Sequence, residues 1–157
     1  MKCKELCLLS LFIVSAAAIS WPGSAEKSAS DLEFANAILR DEAAVLEIRS
    51  VPLRYLTPAA ITPETFSEYS TRRAQLDDFS GSKFRSSLAK VFSEHEFAPT
   101  KEISSVQWNL IVRTEFGDTL AELYCDQSGR FMIANGKRYK SDGSLGRLLI
   151  SNFGGLL

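Results

Sequence analysis

Cysteine and histidine, the residues that most often build metal sites and activated nucleophiles, are scarce in this sequence of 157 residues. There is one histidine, His95, and there are three cysteines, of which Cys3 and Cys7 stand close to the N-terminus. One histidine and one further cysteine, Cys125, cannot supply the four ligands of a standard zinc site. We therefore predict no metal site, and no disulfide within the folded domain if the N-terminal segment is removed.

Four other signatures are missing from the sequence. It contains neither a Gly-rich phosphate loop nor a Gly-x-Ser-x-Gly nucleophile elbow, so we predict no cofactor. Its 18 Lys and Arg are balanced by 19 Asp and Glu, and this net charge of −1 argues against a nucleic-acid partner. No apolar run reaches the roughly 20 residues that span a bilayer. We therefore expect no stable membrane span after removal of the N-terminal segment.

That N-terminal segment has the pattern of a secretory signal peptide. Two lysines precede an apolar stretch over 6–19, and the small residues 23–25 follow at the position that a signal peptidase requires. We predict a signal peptide over 1–25, a single domain over 26–157, and a periplasmic or secreted location. N-terminal sequencing of the exported protein tests this prediction, and a chain that still begins at Met1 contradicts it.

The remaining chain combines strand patterns with helix patterns. Alternating apolar and polar residues predict a strand over 44–52, with Glu47 and Arg49 on its solvated face. The same alternation predicts an antiparallel meander over 105–140, in which Phe116 continues the first apolar face and Asn135-Gly136 forms a hairpin turn. The predicted fold class is therefore α+β, with a mainly antiparallel sheet and helices packed on it in a single domain.

Helices are predicted where a capping residue precedes an apolar stripe at helical spacing. These are a helix after Ser30, a short helix after Thr62 and Pro63 followed by an extended segment over 69–76, a helix over 82–95 capped by Ser82, and a last helix between Asp142 and Gly154. The last helix is expected to cover one face of the sheet.

Two side chains are candidates for catalysis. His95 lies between two glutamates and could act as a general base, and Cys125 could act as a nucleophile. Cys125 nevertheless shares the apolar face of its predicted strand, where a cysteine behaves as a small hydrophobic residue. We lean toward a protein that is not an enzyme. A small envelope hydrolase that uses His95 with a nearby carboxylate or with Cys125 is the alternative.

Basic and aromatic side chains provide the candidate binding surface. They are the densest basic group of the sequence together with two tyrosines of the kind enriched at interfaces: Arg72, Arg73, Lys83, Arg85, Tyr55 and Tyr69. We predict a small exported protein that binds another protein, in the manner of envelope inhibitor or immunity proteins, with its oligomeric state undetermined. A third hypothesis is a ligand- or lipid-binding module, which requires an apolar pocket beneath the sheet.

Overall fold

The protein folds as one antiparallel sheet with helices against it, in a computed structural model that describes residues 32–53, 59–102 and 104–157. In these residues the helices are α1 (Glu33–Leu39), α2 (Phe66–Tyr69), α3 (Lys83–Glu94) and α4 (Ser144–Phe153). The strands are β1 (Val45–Ser50), β2 (Arg72–Leu76), β3 (Ala98–Pro99), β4 (Trp108–Arg113), β5 (Thr119–Cys125), β6 (Phe131–Ala134) and β7 (Lys137–Lys140). The predicted α+β class is confirmed, while the predicted signal peptide lies outside the described residues.

The order of the strands across the sheet is β2-β1-β4-β5-β6-β7-β3. The chain from β4 to β7 is the predicted meander, in which each strand pairs with the next. Its last turn has positive φ angles at Asn135 and Gly136, 50° and 71°, as the sequence predicted for a tight hairpin. The sheet therefore ends in β2 on one side and in the two-residue strand β3 on the other.

The core of the domain lies between the inner face of the sheet and helices α1, α3 and α4. Trp108 and Leu110 of the central strand β4 are fully buried there. The helix α3 begins where it was predicted, because the Ser82 hydroxyl accepts a hydrogen bond from the Arg85 N–H at 3.1 Å. Leu145 and Leu149 of α4 are also fully buried, in the space where the third hypothesis requires a pocket.

The contact between α4 and the β5–β6 turn depends on two glycines. A Cβ atom on Gly146 would lie 2.1 Å from the carbonyl carbon and oxygen of Ser128. A Cβ atom on Gly129 would lie 2.1 Å from the Gly146 nitrogen, and Gly129 also has a φ of +64°. The backbones of the helix and the turn therefore approach each other as closely as only glycine permits.

Several local predictions were wrong. The short helix begins at Phe66, because Thr62 enters a turn in which its own N–H donates to Thr65 Oγ1 at 3.1 Å. Phe116 does not continue the apolar face of β4 but is 85% exposed in the β4–β5 turn. The N-cap residue of α4 is Gly143, while the Asp142 carboxylate accepts from the Ser144 N–H at 2.9 Å.

Candidate functional site

A group of arginines occupies the outer face of the sheet, the face that lies opposite α1, α3 and α4. Directly opposed residues of paired antiparallel strands share a face. Arg49 of β1 is opposed to Arg73 of β2, so both side chains stand on the outer face with Glu47. Arg113 of β4 reaches the same Glu47 carboxylate. Strand pairing thus gathers three arginines that are far apart in the sequence around one acid.

Glu47 is the centre of this arginine cluster, which comprises Glu47, Arg49, Arg73 and Arg113. Its side chain is only 2% exposed, so the prediction that it faces solvent was wrong. Arg49 Nε donates a hydrogen bond to Glu47 Oε1, and Arg73 Nε forms an ion pair with the same oxygen at 3.0 Å. The Nε atom of Arg113 lies 3.4 Å from Oε2. Burial of a carboxylate is favourable only when such partners replace its hydration.

The arginine cluster keeps an excess of positive charge. Three guanidinium groups share one carboxylate. The nearby Glu122, also on the outer face, accepts hydrogen bonds from neutral donors, Asn109 Nδ2 and the Tyr124 hydroxyl, both at 2.8 Å. Burial and the Glu122 contact together raise the pKa of Tyr124 well above its ordinary value, so that phenol stays a hydrogen-bond donor at neutral pH.

A depression of about 250 Å³ opens beside the cluster, where α2 leads into β2. The described residues that line it are arginines and hydroxyl residues, with no carboxylate among them: Arg49, Ser67, Ser70, Thr71, Arg72 and Arg73. We call it the arginine depression. The segment before β2 is held over the outer face because Phe66 is buried and packs edge-on against Tyr124, with ring centroids 5.6 Å apart. This packing positions the hydroxyl groups beside the arginines.

The strand β2 has a neighbour on one side only among the described residues. The Val51 N–H donates to the Gln107 carbonyl at 3.0 Å, and this pair continues the β1–β4 register. The backbone groups of odd-numbered residues in β1 therefore face β4. Backbone groups alternate in direction along a strand, so even-numbered residues of β1 bond to β2. The register then leaves the N–H and C=O groups of Arg73 and Gln75 on the side away from β1, which we call the open edge.

The structure brings only part of the sequence-predicted binding group to this surface. Arg72 follows the hydroxyl residues but points to the inner face, where its Nη1 donates to the carbonyl oxygens of Gly155 and Leu157 at 3.0 and 2.7 Å. Tyr69 packs against the small apolar cluster beneath α2. Tyr55 lies outside the described residues.

The other two predicted basic residues belong to α3, on the opposite side of the sheet from Arg73. Lys83 is exposed in the first turn of that helix. Arg85 is engaged within the fold, because its Nε and Nη2 donate to the carbonyl oxygens of Ile38 and Arg40 at 2.7 and 2.8 Å. These bonds satisfy acceptors at the C-terminal end of α1 that have no partner within the helix. Arg85 therefore joins two helices.

The catalytic candidates lie apart from the arginines. His95 Nδ1 is 3.1 Å from Asp142 Oδ2, which supplies the carboxylate that the hydrolase alternative expects. Partial burial alone would raise the pKa of Asp142, but hydrogen bonds from Ser144, and then the His95 charge and Arg147, lower it below its ordinary value. Within the part of the chain that the structure describes, no hydroxyl or thiol is hydrogen bonded to the imidazole.

Cys125, the second catalytic candidate, is 1% exposed in the main core. Burial, and then the charge of Asp126, raises the pKa of its thiol. A buried thiol with a raised pKa is a poor nucleophile because little thiolate forms. Alternation of side chains along the strand had favoured this inward position.

Sequence reasoning missed Glu47, Arg49 and Arg113 as members of a site. Their only signal was that Glu47 and Arg49 share one face of a predicted strand. The other members of the cluster depend on which strands flank β1 and on the register in which they pair. No local pattern in the sequence encodes this pairing. Arg73 was selected for its position beside Arg72, although the two side chains point to opposite faces.

Comparison with known proteins identifies no relative. No protein-family model, no curated protein and no solved structure matches the chain. None of the helices that the structure describes has the length and apolar character needed to cross a bilayer. Across residues 32–53, 59–102 and 104–157, no group of three or more acidic, histidine or cysteine side chains is arranged to hold a metal ion.

Proposed function

We propose that the protein is an exported binding module that captures an acidic, extended segment of another protein by adding it as a strand at the open edge of β2. The observation that carries this proposal is that, in the part of the chain that the structure describes, β2 pairs on one side only, with arginines along that strand and its neighbour. Unpaired strand edges bind extended segments through backbone hydrogen bonds, and side-chain contacts then select the segment.

The charge of the edge supports an acidic partner. Arg72 and Arg73 are exposed, and Arg49 stands beside Arg73 on the outer face. Charged residues on an edge strand oppose pairing with an edge of the same charge. Two copies of β2 would therefore repel each other, whereas a segment that carries Glu or Asp on one face would meet complementary charge. Such complementarity favours the right partner and accelerates encounter.

The backbone contribution can be separated from the side-chain contribution at Gln75. Its N–H group lies at the open edge, so Gln75→Pro removes one donor for an incoming strand and leaves the ladder to β1 intact. We expect Gln75→Pro to weaken binding of a synthetic peptide of alternating Glu and Val at least about tenfold, the equivalent of one hydrogen bond of about 1.4 kcal/mol. Titration calorimetry on residues 26–157 measures this affinity.

Gln75→Ala is the matched control, because it removes the side chain that contacts Arg73 and Asp77 and retains the backbone N–H. It should bind the peptide like the parent protein. A second peptide with Lys in place of Glu should bind weakly to all three proteins. Equal affinities of the proline and alanine variants, or equal affinities for the two peptides, would reject capture of an acidic strand at this edge.

A further inference from the structure

We infer that the arginine depression is an oxyanion site that receives one carboxylate or phosphoryl group of the bound partner. This inference rests on the proposed function and names the group that the module recognises. The observation behind it is that guanidinium and hydroxyl donors converge on one depression of about 250 Å³, and that no acid is found among the described residues of its lining. Paired guanidinium donors are the protein groups best suited to such anions.

The guanidinium donors beside the depression are only partly occupied by contacts among the described residues. Arg49 and Arg73 use their Nε atoms on the same oxygen of Glu47. Arg73 Nη2 also donates to the Gln75 side chain at 2.9 Å. Among the described residues, no acceptor is found for either Nη atom of Arg49 or for Nη1 of Arg73. Three guanidinium nitrogens beside the depression are thus available to a ligand.

The fold also holds these guanidinium donors in position. Arginine side chains on a surface usually lose much conformational freedom when they bind a ligand. Glu47 is buried beneath Arg49 and Arg73 and holds both at their Nε atoms, so part of that loss has already occurred on folding. The side chains are 34% and 57% exposed, which leaves their outer ends in reach of an anion. A preorganised donor pair binds more tightly than a mobile one.

Three hydroxyl side chains line the depression beside the guanidinium groups. Ser67 lies within α2, Ser70 is the C-cap residue of that helix, and Thr71 leads into β2. Within the described part of the chain, their hydroxyl groups have no hydrogen-bond partner. A hydroxyl can donate to an anion, and three of them beside two guanidinium groups provide donors from several directions. This arrangement suits a group with several acceptor oxygens.

The test uses small anions and no peptide, so it stands apart from the strand-addition experiment. Residues 26–157 are titrated with N-acetylglutamate methylamide and, separately, with phenyl phosphate, while ¹H–¹⁵N spectra follow the Nε–H signals of Arg49 and Arg73. We expect saturable shifts of these signals with a Kd of about 1–10 mM for the preferred anion. The tighter ligand identifies the group as carboxylate or phosphoryl.

Arg49→Lys is the decisive variant, because it keeps a positive charge near Glu47 and removes the fork of guanidinium donors. It should weaken binding of the preferred anion about tenfold. Arg147→Lys, at an exposed guanidinium that pairs with Asp142, should bind like the parent protein. Unchanged affinity in Arg49→Lys, shifts that appear at other arginines, or no saturation by either anion would overturn the inference.

The outcomes also separate this inference from the proposed function. If neither small anion binds but the Glu–Val peptide binds and loses affinity in Gln75→Pro, strand addition stands and the oxyanion site is rejected. If an anion binds at Arg49 while Gln75→Pro and Gln75→Ala bind the peptide alike, the oxyanion site stands and strand addition is rejected.

Discussion

Replacing Glu47 with glutamine is expected to lower the free energy of unfolding by about 2 kcal/mol. The substitution keeps the shape of the side chain and removes the charge that three guanidinium groups share. Loss of one partner of a fully buried ion pair costs about 3–5 kcal/mol. The arginines here are between 27% and 57% exposed, so water replaces part of the lost attraction and the expected value lies below that range.

Urea unfolding, followed by tryptophan fluorescence, measures the effect of Glu47→Gln. The matched control is Glu115→Gln, which removes the same charge from an exposed position in the β4–β5 turn and should change stability by less than about 0.5 kcal/mol. If the two variants have the same free energy of unfolding, the ion pairs between Glu47 and the arginines do not stabilise the fold. Adding Arg73→Gln to each background should cost less in the Glu47→Gln protein, because the two residues interact directly.

The same variant bears on the inferred anion site. Without the Glu47 charge, Arg49 and Arg73 lose the common ionic partner that fixes their Nε atoms. We therefore expect weaker positioning of the donors beside the arginine depression, together with a larger net positive charge there. Lower anion affinity in Glu47→Gln would identify the orientation of the arginines as the main source of binding. Higher anion affinity would identify their positive charge.

Replacing Gly146 with alanine is expected to destabilise the protein by about 2–3 kcal/mol. The new Cβ atom would meet the backbone of Ser128 at 2.1 Å, and a backbone atom cannot move aside as the end of a side chain can. Alanine favours a helix over glycine by about 1 kcal/mol, so the clash must exceed that gain. Overpacking of this kind costs about 1–3 kcal/mol, and occasionally more.

The control for Gly146→Ala is Gly154→Ala, at the other end of α4. A Cβ atom there has its nearest neighbour, Ile150 Cγ2, at 3.7 Å, which is an ordinary contact. Gly154 also has a negative φ of −54°, which any residue adopts. Thermal unfolding should show a clear loss for Gly146→Ala and little change for Gly154→Ala. Similar melting temperatures would mean that the helix and the turn separate at little cost.

The elements that sequence reasoning located correctly are those with a local physical signal. The Ser82 cap, the apolar stripe of α3 and the Asn135-Gly136 turn each depend on residues that are close in the chain. The two-residue strand β3 has no such signal, because it forms only where Ala98 and Pro99 meet β7. Its existence follows from tertiary packing and could not be predicted from local pattern.

The candidate site, like β3, could not be predicted from local sequence pattern alone. Alternation along β1 correctly put Glu47 and Arg49 on one face, but it predicted that the face is solvated. Burial of Glu47 results from Arg73 on one neighbouring strand and Arg113 on the other. Similarly, arginine is a residue type that usually lies on the surface, and only the fold reveals that the Arg85 side chain donates a hydrogen bond to the end of α1. Distant partners decide such roles.

The unequal ends of the sheet have a consequence for stoichiometry. At the end opposite β2, the outermost strand is β3, which has only two residues. One of them is Pro99, which lacks a backbone N–H and cannot continue a hydrogen-bond ladder. Among the described strands, β2 is therefore the edge with more free backbone for a guest strand. If the proposed strand addition occurs, we expect one guest strand to pair directly with each copy of this protein.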